Sequence, residues 1–194
     1  MLVPLAHAQN LAEAIQECPG TLTGSTQPQQ IHLQITDDAS VMNVIWATEG
    51  RSMGEVEWNG ESSTSVDYCY NHDMAFHMAS MTGLTPGEEV TYRVGNGGDW
   101  SEEFTFTPID SSAQHFEWIS VGDHGDSSEA MDVSEAIIAD SKAQMVTIAG
   151  DISYADGEQT AWDDWFNFQQ DSMTVIPWVT AVGNHENEPG YGFT

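Results

Sequence analysis

Met145-Val146-Thr147-Ile148-Ala149-Gly150-Asp151-Ile152-Ser153-Tyr154 is the stretch whose reading decides the fold. Its first five residues carry no charge and are rich in β-branched side chains, as a short buried strand requires. A glycine ends the run, and an aspartate and a tyrosine follow on the loop. The same grammar recurs on either side. Residues 116–121 run into Gly122-Asp123-His124-Gly125, and residues 178–182 run into Gly183-Asn184-His185-Glu186. In open α/β sheets, ligands collect beyond the carboxyl ends of the strands. Asp123, Asp151, Tyr154, Asn184 and His185 are therefore expected on one rim. Hard oxygen donors beside a nitrogen donor suit a metal site.

Between the three runs lie two helical patterns. Residues 127–139 carry Ala130, Val133, Ile137 and Ile138 on roughly one face, and residues 160–170 do the same with Trp162, Trp165 and Phe166. Strand, helix, strand, helix, strand is a βαβαβ unit, hence a parallel sheet with right-handed crossovers. Pro177 cannot donate to a ladder, so the third strand begins there or just after it.

Upstream the pattern changes to short strands separated by turn signals. Candidates are residues 30–35, 41–48, 54–58, 65–70, 75–82, 90–95 and 101–107, with Asn59-Gly60 and Gly97-Gly98 as hairpin-type turns. Seven short alternating strands predict an antiparallel β-sandwich, with Val41, Val44 and Trp46 in its core. The expected organisation is a leader over 1–25, the sandwich over 26–109 and an α/β domain over 110–194.

Charge is the compositional outlier. Thirty-one acidic residues face only Arg51, Arg93 and Lys142, a net charge of −28. The acids are scattered, as on a solvated acidic surface, and self-repulsion at low salt suggests a saline habitat. A nucleic-acid footprint is excluded. Apolar residues make up 40 %, enough for a core, and no stretch has the length of a membrane span. Cys18 and Cys69 allow one long-range disulfide in an oxidising compartment, or two free thiols. Ala6-His7-Ala8 resembles a signal cleavage site and the leader reads as a clipped signal peptide, although residues 2–5 are short for its apolar core. No Asn-x-Ser/Thr sequon supports secretion.

Each site candidate also has a plainer use. Asp123 and Asp151 stand 28 residues apart, about one crossover, so they can meet on one ion. Either can equally be a helix N-cap. Tyr154 is a hard anionic donor suited to ferric iron, or a tyrosine packed over its loop. Asn184 commonly just satisfies backbone, and His185 can bind metal, act as general acid, or only hydrogen-bond.

Taken together the three motifs resemble the metallophosphoesterase superfamily and, within it, the purple acid phosphatases. Gly-Asp-x-Gly, Gly-Asp-x-x-Tyr and Gly-Asn-His-Glu occur in that family's order. Gly150-Asp151-Ile152-Ser153-Tyr154-Ala155-Asp156 resembles it closely, and so does Gln29-Gln30-Ile31-His32-Leu33 leading to Val44-Ile45-Trp46-Ala47-Thr48. The likeness covers residues 27–194. It implies a fibronectin type III-like sandwich followed by the first half of a metallophosphoesterase sheet. Leu84-Thr85-Pro86-Gly87 resembles the fibronectin corner, but the corner tyrosine would fall at Val90.

By that resemblance, Asp123, Asp151 and Tyr154 bind ferric iron, and Asp151 bridges to a second divalent ion (zinc, manganese or iron) held partly by Asn184. His185 contacts the phosphate or protonates the leaving oxygen, and Glu186 orients His185. The wider superfamily places a ligand histidine where Gly125 stands, and Tyr154 replaces that ligand. His124 is at a variable position and is not expected to bind metal, while His32, His72, His77 and His115 match no motif. The implied activity is acid phosphatase, acting on phosphate esters in a secreted, extracellular or vacuolar setting. Phosphodiesters or nucleotides on the same metal core, and a non-catalytic binding protein with a vestigial half-site, are the alternatives. The family's later histidine motifs have no match here, so the chain reads as the front part of a larger enzyme and is expected to be inactive alone.

Overall fold

A computed structural model describes residues 22–69, 74–110, 112–140 and 142–186. The leader up to residue 21, Cys18, Tyr70, His72 and residues 187–194 lie outside the described residues.

Eight strands build the expected sandwich: β1 (Gln29–Ile35), β2 (Met42–Thr48), β3 (Glu55–Trp58), β4 (Glu61–Thr64), β5 (Val66–Cys69), β6 (Ala75–Met81), β7 (Val90–Gly95) and β8 (Phe104–Phe106). They form two antiparallel sheets, β1-β2-β6-β5 and β4-β3-β7-β8. Alternation is the cause. In β6, Ala75, His77, Ala79 and Met81 are buried while the residues between them are not. Ile31, Leu33, Val44, Trp46, Val56, Met81, Tyr92 and Val94 fill the space between the sheets. Val41 is only half-buried and precedes β2, so Met42 takes the core place expected of it.

Two differences from expectation have clear causes. Strand β4 contains no apolar residue and is mostly exposed, so no hydrophobic signal marks it. It exists because Asn59 and Gly60, at φ 46° and 89°, make the two-residue turn that folds it back on β3. At the other end, Val90 is a core residue, and the buried Tyr92 serves no corner of the sandwich. Its hydroxyl donates to the Thr174 carbonyl in the second domain, at 2.9 Å.

The second domain runs β9 (Trp118–Val121), α1 (Ser128–Ala139), β10 (Met145–Ala149), α2 (Gln159–Met173) and β11 (Trp178–Ala181), then a 3-10 turn over Asn184–Glu186. Its sheet is parallel in the order β11-β10-β9, which makes the strands leading to Asp123 and Asp151 neighbours. Strand β11 starts immediately after Pro177, whose carbonyl accepts from Val146 N–H. Ser127 caps α1 by accepting from Ala130 N–H. The buried stripe of α1 is Ala130, Ser134 and Ile137, with i, i+4, i+7 spacing. Val133 and Ile138, expected on that stripe, flank it and are exposed.

The two domains are joined by a bulge. The register of β1 on β2 slips between Gln29 and His32, and Gln30 adopts φ 57° while buried. Its amide donates to Asp163 at 2.8 Å, and Ile31 N–H donates to Gln170 at 3.0 Å, both partners on α2. His32 stacks on Phe166 of the same helix. The sandwich thus braces the helix that leaves the Asp151–Tyr154 loop. On the far edge, Cys69 is disulfide-bonded, which excludes the two-thiol alternative.

Candidate metal centre

Three of the expected ligands share an uncommon backbone state. Asp123, Asp151 and Tyr154 have φ 51°, 51° and 54°. For residues other than glycine this left-handed region costs about 1–2 kcal/mol each. A ladder of loop hydrogen bonds offsets it: Asp123, His124 and Gly125 N–H donate in turn to the carbonyls of Gly150, Asp151 and Ile152, at 3.2, 2.9 and 2.9 Å. The first two motifs are therefore zipped together just past their strands. Neither aspartate caps a helix, because Ser127 caps α1 and Glu158 occupies the N-cap of α2.

The third motif closes on the second through its glycine. A Cβ at Gly183 would overlap the Asp151 carboxylate, and one at Gly150, at φ 88°, would lie 2.8 Å from Gly183 Cα. Only glycine permits that approach. Asp151 Oδ1 then accepts from His185 N–H at 3.1 Å.

Glu186 does something other than orient His185. It is buried at 6 % exposure, and its two oxygens accept three backbone N–H groups. Asp151 and Gly183 donate to Oε2 at 3.0 and 2.6 Å, and Ile152 donates to Oε1 at 2.7 Å. It staples the β10 loop to the β11 loop. The partner of the His185 ring is Asp156, with Oδ1 2.7 Å from Nδ1. That hydrogen bond raises the His185 pKa, burial opposes it, and the charges of Asp156, Asp151 and Glu186 add to the rise.

Tyr154 lies over the same rim, its ring centre 4.5 Å from that of His185. Its hydroxyl donates to Asp123 Oδ1 at 3.1 Å. Burial first, then this hydrogen bond and the neighbouring carboxylate charges, raises its pKa. Asn184 opens the 3-10 turn and is exposed. His124 faces away into the core, as its variable motif position implied. It is boxed edge-on by Trp165, Phe168 and Trp178, with Nδ1 on the Gly125 carbonyl and Nε2 against Ser134, and burial lowers its pKa.

The donor set fits a hard cation. Two oxygens bound side by side on one ion with bonds of about 2 Å stand about 3 Å apart, close to the Tyr154–Asp123 separation. Among the described residues no three His, Cys, Asp or Glu side chains gather as a metal site. An ion here would therefore draw on the Tyr154 phenol beside the two aspartates. Asp156, the partner of the His185 ring, was not singled out in the sequence, although it closes the segment beginning at Gly150.

Residues 28–108 match the family described as Purple acid Phosphatase, N-terminal domain, and residues 115–194 match Calcineurin-like phosphoesterase. A phosphoenolpyruvate phosphatase of Allium cepa is 31 % identical over 180 residues, which cover 83 % of this chain and 37 % of that protein. The Fe(3+)-Zn(2+) purple acid phosphatase 12 of Arabidopsis thaliana is 25 % identical over 182 residues, covering 84 % and 39 %. The solved purple acid phosphatase from yellow lupin (Lupinus luteus) seeds superposes with a TM-score of 0.75 at 20 % identity, over 87 % of this chain and 37 % of that one, a likeness of fold. The chain spans about two fifths of the length of these relatives.

Proposed function

The chain belongs to the purple acid phosphatase family, matching an N-terminal portion of it, and from that premise we propose that it carries half of an acid phosphatase site for phosphate monoesters. The contact between Tyr154 and Asp123 supports this most directly, since it joins a phenol and a carboxylate from two loops at cis-ligand spacing. Asp123, Asp151 and Tyr154 would hold ferric iron, and Asp151 with Asn184 part of a second, divalent ion. When bound, such a pair of ions neutralises phosphoryl oxygens and acidifies the attacking water.

The protein's own residues do the rest. The staple at Glu186 fixes Asp151 and Gly183 relative to each other, so the ligands are set before any ion arrives. His185, charged more readily than a free histidine, would contact the phosphate or protonate the leaving oxygen. The disulfide at Cys69 supports an oxidising, secreted or vacuolar setting.

Iron retention tests the reading. The chain incubated with ferric iron and desalted should keep about one equivalent, and Asp151→Asn should keep far less. Equal retention by both would place the iron elsewhere and overturn the assignment.

A further inference from the structure

Four consecutive residues at the β1 bulge, Gln29 to His32, each meet α2. Gln30 Nε2 donates to Asp163 Oδ1 at 2.8 Å, and Asn167 Nδ2 donates to Gln29 Oε1 at 3.2 Å. Ile31 N–H donates to Gln170 Oε1 at 3.0 Å, and the His32 ring stacks on Phe166. Asp163, Asn167 and Gln170 have i, i+4, i+7 spacing, one stripe of the helix. Apolar packing alone lets a helix slide or turn slightly, whereas directional bonds spaced along a stripe set its height and rotation together. Gln30 sits at the centre of this seam, buried and in a left-handed state that an ordinary residue adopts only at a cost. The helix so held begins five residues beyond Tyr154. Its Trp165 shares one core cluster with Ile152, whose N–H and carbonyl both take part in the bonds that join the rim loops.

We propose that Gln30 is a positioning residue for the rim: through Asp163 it sets the register of α2, and through α2 the place of the Asp151–Tyr154 loop. The sandwich then acts as a template for the loop that carries the candidate ligands. That the loop holds metal rests on the proposed function; its coupling to the bulge does not.

Hydrogen exchange of the labelled 194-residue chain, free of metal, reads the coupling. The reporters are the amides of His124, Gly125, Asp151 and Ile152, which tie the rim loops together. Gln30→Glu sets a second carboxylate against Asp163. It should speed exchange at these amides on the order of tenfold, the equivalent of one lost hydrogen bond to a charged group. The amides of β3 and β7, in the far sheet of the sandwich, should keep their rates. Gln30→Glu combined with Asp163→Asn, whose amide can donate to the new carboxylate, should recover wild-type exchange. Gln30→Asn tolerates the left-handed state but is one carbon too short for Asp163, so it should show the same change with no added charge. Unchanged rim amides in Gln30→Asn, equal speeding in both domains, or no recovery in the double variant would overturn the proposal. Ferric iron kept after desalting should fall in the single variants and recover in the double one. A wild type that keeps no iron would sink the metal assignment and leave the exchange result standing.

Discussion

The hydroxyl of Tyr154 donates to the Asp123 carboxylate across 31 residues of chain, at 3.1 Å. Burial first, and then this hydrogen bond with the charges of Asp123 and Asp151, raises the phenol pKa further above its ordinary value. A trivalent ion reverses that balance. Ferric iron added to the chain should therefore release the phenol proton and produce a visible phenolate-to-iron band. Tyr154→Phe should lack the band and lose no more than about 1 kcal/mol of stability, the net worth of one exposed hydrogen bond. A band that survives the substitution would reduce Tyr154 to packing.

Glu186 offers a test of the scaffold apart from metal chemistry. Glu186→Ala removes the acceptor for three N–H groups at once. Buried donors left unmet cost about 1–3 kcal/mol each, with water recovering part of it. Urea unfolding should show a loss of about 3 kcal/mol. Glu186→Gln should fall between, since its amide retains a single acceptor oxygen. A loss below about 0.5 kcal/mol would mean the loops are held by other means.

The two roles above were not equally legible in the sequence. That Asp123, Asp151, Tyr154 and His185 meet on one rim could be read because each follows an apolar run ended by glycine, and strand order brings the loops together. Glu186 was misassigned because its neighbour in sequence is His185, whereas successive side chains of a tight turn point apart. Its partners, 34 and 35 residues away at Ile152 and Asp151, are backbone groups that leave no trace in residue type. Strand β4 escaped for a related reason: a strand facing solvent on a hairpin needs no apolar residue. Val133 and Ile138 of α1 misled because helical spacing gives a face, while the angle at which the helix meets its neighbours decides which residues of that face are covered.

His32 makes the seam between the domains acid-sensitive. Burial lowers its pKa from 6.5 to about 4, against a smaller raising by the Gln30 carbonyl. The unfolded chain therefore binds a proton that the folded chain refuses between those values. The stabilising contribution is complete above pH 6.5 and is lost progressively as pH falls through about 4. At about 1.4 kcal/mol per unit the full loss is about 3 kcal/mol. His32→Gln, compared with wild type by urea unfolding at neutral pH and at pH near 4, should show a smaller fall by that amount. Parallel pH dependences would show that His32 stays neutral for no energetic reason of its own.

The last expectation concerns turnover by this chain alone. In the proposed assignment the second ion draws on Asp151 and Asn184 from this chain. Two oxygen atoms hold a divalent transition metal weakly, because affinity grows with ligand number and imidazole suits zinc and iron better than an amide does. The ferric position, with two carboxylates and a phenolate, should fill first. With one ion, the phosphoryl group loses an electrostatic partner, and removing one such partner from a site typically costs on the order of 10²–10³-fold in rate. The chain supplied with iron and zinc in acidic buffer should therefore hydrolyse p-nitrophenyl phosphate at least that much more slowly than a purple acid phosphatase of the relatives' full length. Calorimetry should find one strong iron site and a zinc site weaker by several orders of magnitude. Turnover matching the longer enzymes would mean that residues already present complete the second site, with His185 the first to substitute.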